Sequence, residues 1–202
     1  MNPYSRKGRA ASLSSAPFES LLVETGDEIG SSYGLLAESI EYPADQKWVI
    51  FRLRKEAKFS DSTPLTADDV AFTYKLFLEQ GLPSYRAVLA DIVQEVEVLG
   101  PHAIKYIFTE KASKRDAIPI VGGLPVKSQS WFEKNQARLD ESRMEPAIGS
   151  GPYVMDSFEI NRWVKYRRNP DYWGASLPIN KGRSNFDEIR ICLLYTSPSP
   201  RD

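Results

Sequence analysis

The sequence predicts a mixed α/β fold, and three observations support this prediction. Residues 48–54 alternate between the two faces of a strand, as expected for a strand that is half buried. A helix with a recognisable N-terminal cap follows over residues 66–80. Further along, the alternating runs 153–158 and 163–168 have the spacing of a β-hairpin. Strands and helices therefore share one chain, and a hairpin requires antiparallel pairing.

The first strand is predicted from its side-chain pattern. It follows residues 36–47, which we interpret as a short polar turn, and it precedes a second turn at residues 61–64. The two faces of the strand carry Val49, Phe51 and Leu53 on one side and Ile50, Arg52 and Arg54 on the other. The first face is fully apolar, so we expect it to face the core.

The helix has defined start and stop signals. Thr66 can cap its N-terminus, and Asp69, three residues later, completes a box-like pair and favours the positive end of the helix dipole. Gly81 follows as a stop. One helical face carries the apolar residues Val70, Tyr74, Phe77 and Leu78.

Further elements are predicted from the same kinds of pattern. They are an edge strand at residues 103–108, a helix at residues 130–137, the hairpin with a polar link around Asn161, and a strand at residues 186–191. Four large aromatic side chains, Trp48, Trp163, Tyr172 and Trp173, are interpreted as core or turn-packing residues.

The composition is that of an ordinary globular protein. The chain has 202 residues, 42% of them hydrophobic and 26% charged, and a net charge of −1. Proteins that bind nucleic acids usually carry an excess of positive charge, which this chain lacks, so we expect no nucleic-acid partner. No apolar run approaches the roughly 18 residues that span a bilayer.

No residue pattern predicts catalysis, a cofactor or a metal. His102 is the only histidine, and we interpret it as a turn residue rather than as a ligand or acid–base group. Asp68 and Asp69 are adjacent on a helix, so they point about 100° apart and do not converge. Zinc-protease, phosphate-loop and nucleophile-elbow motifs are missing from the sequence. We therefore expect a protein that is not an enzyme.

Several short motifs occur in a fixed order along the chain: LAES at 36–39, FSDSTP at 59–64, GPY at 151–153, NPDYWG at 169–174 and FDEI at 186–189. This succession resembles the N-terminal lobe of the family 5 extracellular solute-binding proteins, the peptide and nickel receptors of ABC importers. Ser62 stands where the family pattern has glycine, which affects the turn geometry. Residues 2–4, 7–9 and 18–23 resemble the subgroup that handles oligopeptides and microcin C-like peptides.

The resemblance implies a fold and a function. It implies the first lobe of a two-lobe type II periplasmic-binding-protein fold, with residues 1–18 and 126–191 in the main part and residues 19–125 in a smaller subdomain. The second lobe would lie beyond this chain. The implied protein is monomeric at full length, uses no cofactor, and delivers oligopeptides to the membrane subunits of an ABC permease from the periplasm or from a lipid anchor.

Both ends of the chain depart from that pattern. The sequence begins at Met1 without a leader, whereas the family is exported, so we expect the natural N-terminus to be missing. Residues 192–202 resemble the translation of a sequencing adapter, in which case Cys192 is not native. The alternative is a natural disordered tail.

The resemblance also implies where a ligand would bind. The ligand-binding candidates are Lys7, Gly8, Arg9, Tyr85, Arg86, Ser150, Gly151 and Tyr153. Gly8 would let a peptide backbone approach closely, Tyr85 offers a flat apolar face, and Arg86 can meet a carboxylate. The other interpretation of these residues is an exposed loop, a core position or plain surface.

Three further functions remain open from the sequence. Within the family the ligand can be a dipeptide, a nickel chelate, an opine or an oligosaccharide. From other classes, the chain can be a hydrolase that uses the loop around Ser150, or an adhesive extracellular module. A receptor returns its ligand unchanged, whereas an enzyme consumes it.

Overall fold

Three antiparallel sheets and four α-helices form the part of the chain that the computed structural model describes, namely residues 13–141, 143, 145–160 and 162–192. The strands are β1 (Leu22–Glu24), β2 (Ser32–Gly34), β3 (Ala37–Glu41), β4 (Trp48–Leu53), β5 (Val93–Gly100), β6 (Ala103–Phe108), β7 (Tyr153–Glu159), β8 (Trp163–Arg168) and β9 (Glu188–Cys192). The helices are α1 (Ala67–Gln80), α2 (Pro83–Ile92), α3 (Ala117–Gly122) and α4 (Gln129–Lys134), with a 3₁₀ turn at Pro178–Asn180.

The central sheet has the strand order β3-β4-β6-β5. Phe51 of β4 and Ile104 of β6 lie side by side in its register and are fully buried, whereas Val98 on the outer strand β5 is 42% exposed. The strand predicted at residues 103–108 exists, but the prediction that it is an edge strand is wrong. It lies in the interior because β5, which the sequence analysis did not identify, pairs along its free side.

The alternation predicted for β4 is confirmed, since Val49, Phe51 and Leu53 are all buried. The prediction that residues 36–47 form only a turn is wrong, because they include β3, which pairs with β4. In β3 only Ala37 is buried, and residues 38–41 are exposed. An edge strand exposed on both faces carries no alternation for a sequence pattern to detect.

Helix α1 has the predicted cap. The Thr66 backbone N–H donates to Oδ2 of Asp69 over 3.0 Å, and the pair forms a capping box. The helix ends at Gly81, whose N–H donates to the carbonyl of Phe77. A Cβ at Gly81 would lie 3.2 Å from the Phe77 carbonyl carbon, so this stop position needs glycine because of close backbone approach.

The predicted hairpin is confirmed as β7 and β8, and β9 adds to β8 to complete a three-stranded sheet. Asn161, around which the link was predicted, lies outside the described residues. Helix α4 is shorter than the predicted 130–137, because Gln136 has a φ of 47° and cannot continue a helix.

Buried side chains form three clusters. The largest lies between the central sheet, α1 and α3, the second joins α1, α2 and α4, and the third lies on one face of the sheet β7-β8-β9. Within the described ranges, the helices are too short or too polar to span a bilayer. The same residues contain no group of three or more His, Cys, Asp or Glu side chains that could hold a metal.

Candidate functional site

The loop before β7 lies directly against the segment before β1. The backbone N–H of Gly151 donates to the carbonyl of Pro17 over 2.9 Å, and a Cβ at Gly151 would lie 2.6 Å from the carbonyl oxygen of Ala16. A Cβ at Gly149 would lie 2.6 Å from the carbonyl carbon of Pro17. Both glycines are therefore required by the contact between two backbones.

A buried carboxylate joins this loop to more distant parts of the chain. Glu19 is only 6% exposed. Its Oε1 accepts a hydrogen bond from the Tyr172 hydroxyl, and its Oε2 accepts one from the indole Nε1 of Trp173 over 3.0 Å. The same indole N–H donates to the carbonyl of Ser150 over 2.9 Å, while the backbone N–H of Val126 donates to the carbonyl of Glu19 over 2.8 Å.

Burial dominates the electrostatics of this carboxylate. It raises the pKa of Glu19 from 4.5 to about 7, and the hydrogen bonds from Tyr172 and Trp173 oppose that shift without cancelling it. Burial and the neighbouring carboxylate also raise the pKa of the Tyr172 hydroxyl. That hydroxyl accepts a hydrogen bond from Nδ2 of Asn180 over 2.9 Å. Tyr172 and Trp173 thus pack at a turn, as predicted.

Three of the predicted ligand contacts lie together in this region. Ser150, Gly151 and Tyr153 are all buried in the described structure, and Ser150 is only 2% exposed. The Tyr153 hydroxyl donates to the carbonyl of Phe186 over 2.9 Å, and the ring belongs to the cluster that contains Val164. In this geometry they fix the start of β7.

Two other predicted contacts lie on the first turn of α2. Tyr85 is 44% exposed, and its ring lies 5.9 Å from the ring of Phe77. Arg86 is exposed and donates from Nε to the carbonyl of Leu78, near the C-terminal end of α1, over 3.2 Å. Both side chains present surface that a solute could contact, and their described partners belong to α1 rather than to the loop before β7.

The remaining predicted contacts, Lys7, Gly8 and Arg9, lie outside the described residues. His102 lies in the turn between β5 and β6, as predicted. Asp68 and Asp69 lie in the first turn of α1, also as predicted.

The sequence analysis did not predict that three charged residues are buried, and it named Asp69 only as part of the helix cap. Glu19, Asp69 and Lys127 are each less than 9% exposed. Asp69 accepts a hydrogen bond on Oδ1 from the backbone N–H of Gln129 and so ties α1 to α4. The Nζ of Lys127 lies 2.9 Å from the centroid of the Phe18 ring, and burial lowers the pKa of this lysine well below its usual value. For Glu19 and Lys127 the available signal was a single charge in a largely apolar stretch, as at residues 16–23.

The comparison with protein families decides the identity of the chain. The family described as bacterial extracellular solute-binding proteins, family 5, matches residues 32–199. The chain belongs to this family. The family predicted from the order of motifs is therefore confirmed. This family is defined by solute binding and not by a catalysed reaction, which agrees with the expectation that the chain is not an enzyme.

Similar proteins cover the chain almost completely but are much longer. A protein of Brucella melitensis, named only as a binding protein, is 38% identical over 174 residues, which are 86% of this chain and 28% of the relative. YejA of Agrobacterium fabrum, whose name describes it as a probable peptide-binding protein, is 34% identical over 194 residues, 94% of this chain and 31% of the relative. The chain thus spans less than a third of the length of these relatives.

A solved structure shows the same fold. NikZ from Campylobacter jejuni, in complex with Ni(L-His), superposes with a TM-score of 0.74 at 20% sequence identity, over 96% of this chain and 36% of NikZ. The predicted fold class is confirmed: the chain forms a mixed α/β part of a type II periplasmic-binding-protein fold.

Proposed function

We propose that the chain is part of the first lobe of an oligopeptide receptor that serves an ABC importer, in the subgroup that takes microcin C-like peptides. The observation that carries this proposal is the match to family 5 over residues 32–199, together with 34% identity to a relative named for peptide binding over 94% of the chain. The receptor works outside the cytoplasmic membrane, in the periplasm or on a lipid anchor, and is a monomer at full length.

The division into two parts of the lobe belongs to the same proposal. Residues 1–18 and 126–191 form the main part, and residues 19–125 form the smaller subdomain. The sheet composition supports this division, since the central sheet uses only residues 37–108 and the sheet β7-β8-β9 uses only residues 153–192. Residues 192–202 are proposed as a non-native tail, although Cys192 itself pairs with Trp163 at the end of β9.

The exposed first turn of α2 supports a role in peptide contact. Tyr85 offers a rigid ring whose packing on Phe77 limits the entropy lost on binding. Arg86 uses Nε for the Leu78 carbonyl, which orients the rest of its guanidinium, and such a group suits a peptide carboxylate. Lys7, Gly8 and Arg9 would add main-chain hydrogen bonds to an extended peptide.

The same geometry disfavours the hydrolase alternative. A nucleophilic serine must reach its substrate, and it needs a neighbouring base. Ser150 is 2% exposed, and its hydroxyl lies beside the carboxylate of Glu19, which is itself buried and already accepts hydrogen bonds from Tyr172 and Trp173. This arrangement is suited to holding the loop in place.

The proposal can be tested by calorimetric titration. The protein to be titrated is a polypeptide that contains this chain and has the full length of the relatives. The ligands are a mixed tripeptide pool, dipeptides, a nickel–histidine complex and an opine. We expect binding of tripeptides, weakened three- to tenfold, or by about 1 kcal/mol, in Tyr85→Ala. Tyr42→Ala is the matched control, because Tyr42 is 47% exposed but lies just after β3, whereas Tyr85 lies on α2.

Each other outcome points to a different conclusion. If the nickel complex bound and no peptide did, the ligand would be another solute of the family and not an oligopeptide. Consumption of the peptide during titration would mean an enzyme. Equal affinity in the wild type and in Tyr85→Ala would show that α2 is not part of the binding site, but it would not contradict the proposal that the protein is a receptor.

A further inference from the structure

Four separate segments of the chain meet around one buried residue, Glu19. Glu19 precedes β1, Val126 follows α3, Ser150 precedes β7, and the turn that contains Tyr172 and Trp173 follows β8. The turn donates two hydrogen bonds to the Glu19 carboxylate, from Tyr172 and Trp173. Val126 donates its backbone N–H to the Glu19 backbone carbonyl, and the Ser150 carbonyl accepts from the same Trp173 indole. We call the set Glu19, Ser150, Tyr172, Trp173 and Asn180 the Glu19 junction.

We propose that the Glu19 junction is a proton-sensitive latch, which holds the turn after β8 against the segment before β1 more tightly at acidic than at alkaline pH. The proposal concerns the lobe itself and does not depend on which solute the protein binds. Its geometric basis is that the hydrogen bonds from this turn to the segment before β1 end on a single ionisable group that water hardly reaches.

Burial of the carboxylate makes the junction sensitive to charge, and its hydrogen bonds oppose that effect only in part. The Tyr172 hydroxyl and the Trp173 indole N–H each donate to a different oxygen of Glu19, and the indole is shared with the carbonyl of Ser150. Opening the junction would expose the carboxylate to water, where an ionised carboxylate is well solvated. The closed junction must instead keep it dry, which costs less when the group is protonated.

The direction of the pH effect follows from linkage. A carboxyl group in the closed junction has a pKa of about 7, compared with 4.5 when solvated, so the closed form binds the proton more tightly. Protons therefore favour closure, and this contribution is lost as pH rises through 7. A two-state treatment with these values lowers the closed-to-open ratio by about one to two orders of magnitude between about pH 5 and pH 8.

Other ionisable groups near the junction are few among the described residues. Tyr172 is the titratable group in direct contact with Glu19, and burial raises its pKa further from neutrality. Lys127 adjoins Val126, and its Nζ lies on the ring of Phe18. Burial lowers the pKa of Lys127. The remaining members, Ser150, Trp173 and Asn180, do not titrate near neutral pH.

The exchange rate of the Trp173 indole proton measures the opening of this junction directly. We would follow that proton by NMR in the 202-residue chain between pH 5 and pH 8, with rates corrected for the intrinsic pH dependence of indole exchange. In the wild type the protection should fall by about one to two orders of magnitude as pH rises, as the linkage treatment requires. In Glu19→Gln, whose amide cannot ionise, the protection should stay constant. Glu38→Gln is the matched control, since Glu38 lies exposed on β3, and it should behave as the wild type does.

A wild type with constant protection, or a Glu19→Gln variant with the wild-type pH dependence, would overturn the proposal. Should Glu19→Gln fail to fold, Tyr172→Phe provides a second test. It removes a hydrogen bond that lowers the pKa of Glu19, so the loss of protection should move to higher pH. A transition that stays in place or moves to lower pH in this variant would also overturn the proposal.

Discussion

Replacing Gly149 by alanine should destabilise the lobe by several kilocalories per mole. A methyl carbon at this position would overlap the carbonyl oxygen of Pro17 and lie 2.6 Å from its carbonyl carbon. The obstacle is backbone rather than a flexible side chain, so either residues 16–18 or the loop before β7 must move.

The size of the effect can be worked out from the contacts in this region. Overpacking of this kind costs about 1–3 kcal/mol. Two hydrogen bonds depend on the same backbone approach, from Ser60 N–H to the Gly149 carbonyl over 2.8 Å and from Gly151 N–H to the Pro17 carbonyl over 2.9 Å. Each contributes about 1 kcal/mol, so the total loss should be about 3–5 kcal/mol.

Urea denaturation of the 202-residue chain, followed by circular dichroism and tryptophan fluorescence, measures this loss. Gly26→Ala is the matched control, because a Cβ at Gly26 meets no atom within 4 Å. We expect this control to change the free energy of unfolding by less than about 0.5 kcal/mol. If Gly149→Ala unfolded at the same urea concentration as Gly26→Ala, the close approach of the two backbones would not exist in solution.

Two further substitutions give defined outcomes. Asp69→Ala should lower the free energy of unfolding by about 2–3 kcal/mol, because it removes the hydrogen bonds that the carboxylate accepts from Thr66 and Gln129. Urea denaturation measures this loss, and Asp68→Ala is the control, since Asp68 is exposed and its replacement should have little effect. Gly8→Val in the full-length polypeptide should weaken peptide binding in calorimetry without lowering the melting temperature, and unchanged affinity would remove residues 7–9 from the binding site.

Sequence reasoning identified the elements whose signals are local. The strand at residues 48–53, helix α1 with its Thr66 cap, and the hairpin of residues 153–168 all combine a clear period with a turn or cap residue. Helix α2 was missed because only Leu89 and Ile92 of its ten residues are buried, which leaves no apolar stripe. Strand β5 was missed for a similar reason, since most of its side chains are exposed at the sheet edge.

The Glu19 junction could not be read from the sequence because its members are distant along the chain. Tyr172 lies 153 positions after Glu19, and Trp173 lies 154 positions after it. The motif NPDYWG was recognised, and its aromatic residues were interpreted as core or turn-packing residues, but only the folded chain shows that both side chains hold a buried carboxylate. Ser150 and Tyr153 were singled out from their motif, and the structure shows that both are buried.

The central claim is that this chain belongs to a receptor that binds a peptide between two lobes and leaves it unchanged. Native mass spectrometry tests this claim most directly, on the polypeptide of the relatives' full length after incubation with an equimolar pool of dipeptides, tripeptides, a nickel–histidine complex and an opine. We predict one intact peptide bound per polypeptide chain, and no bound peptide on the 202-residue chain alone. A full-length polypeptide that binds nothing from the pool, or that releases cleaved peptides, would contradict the account.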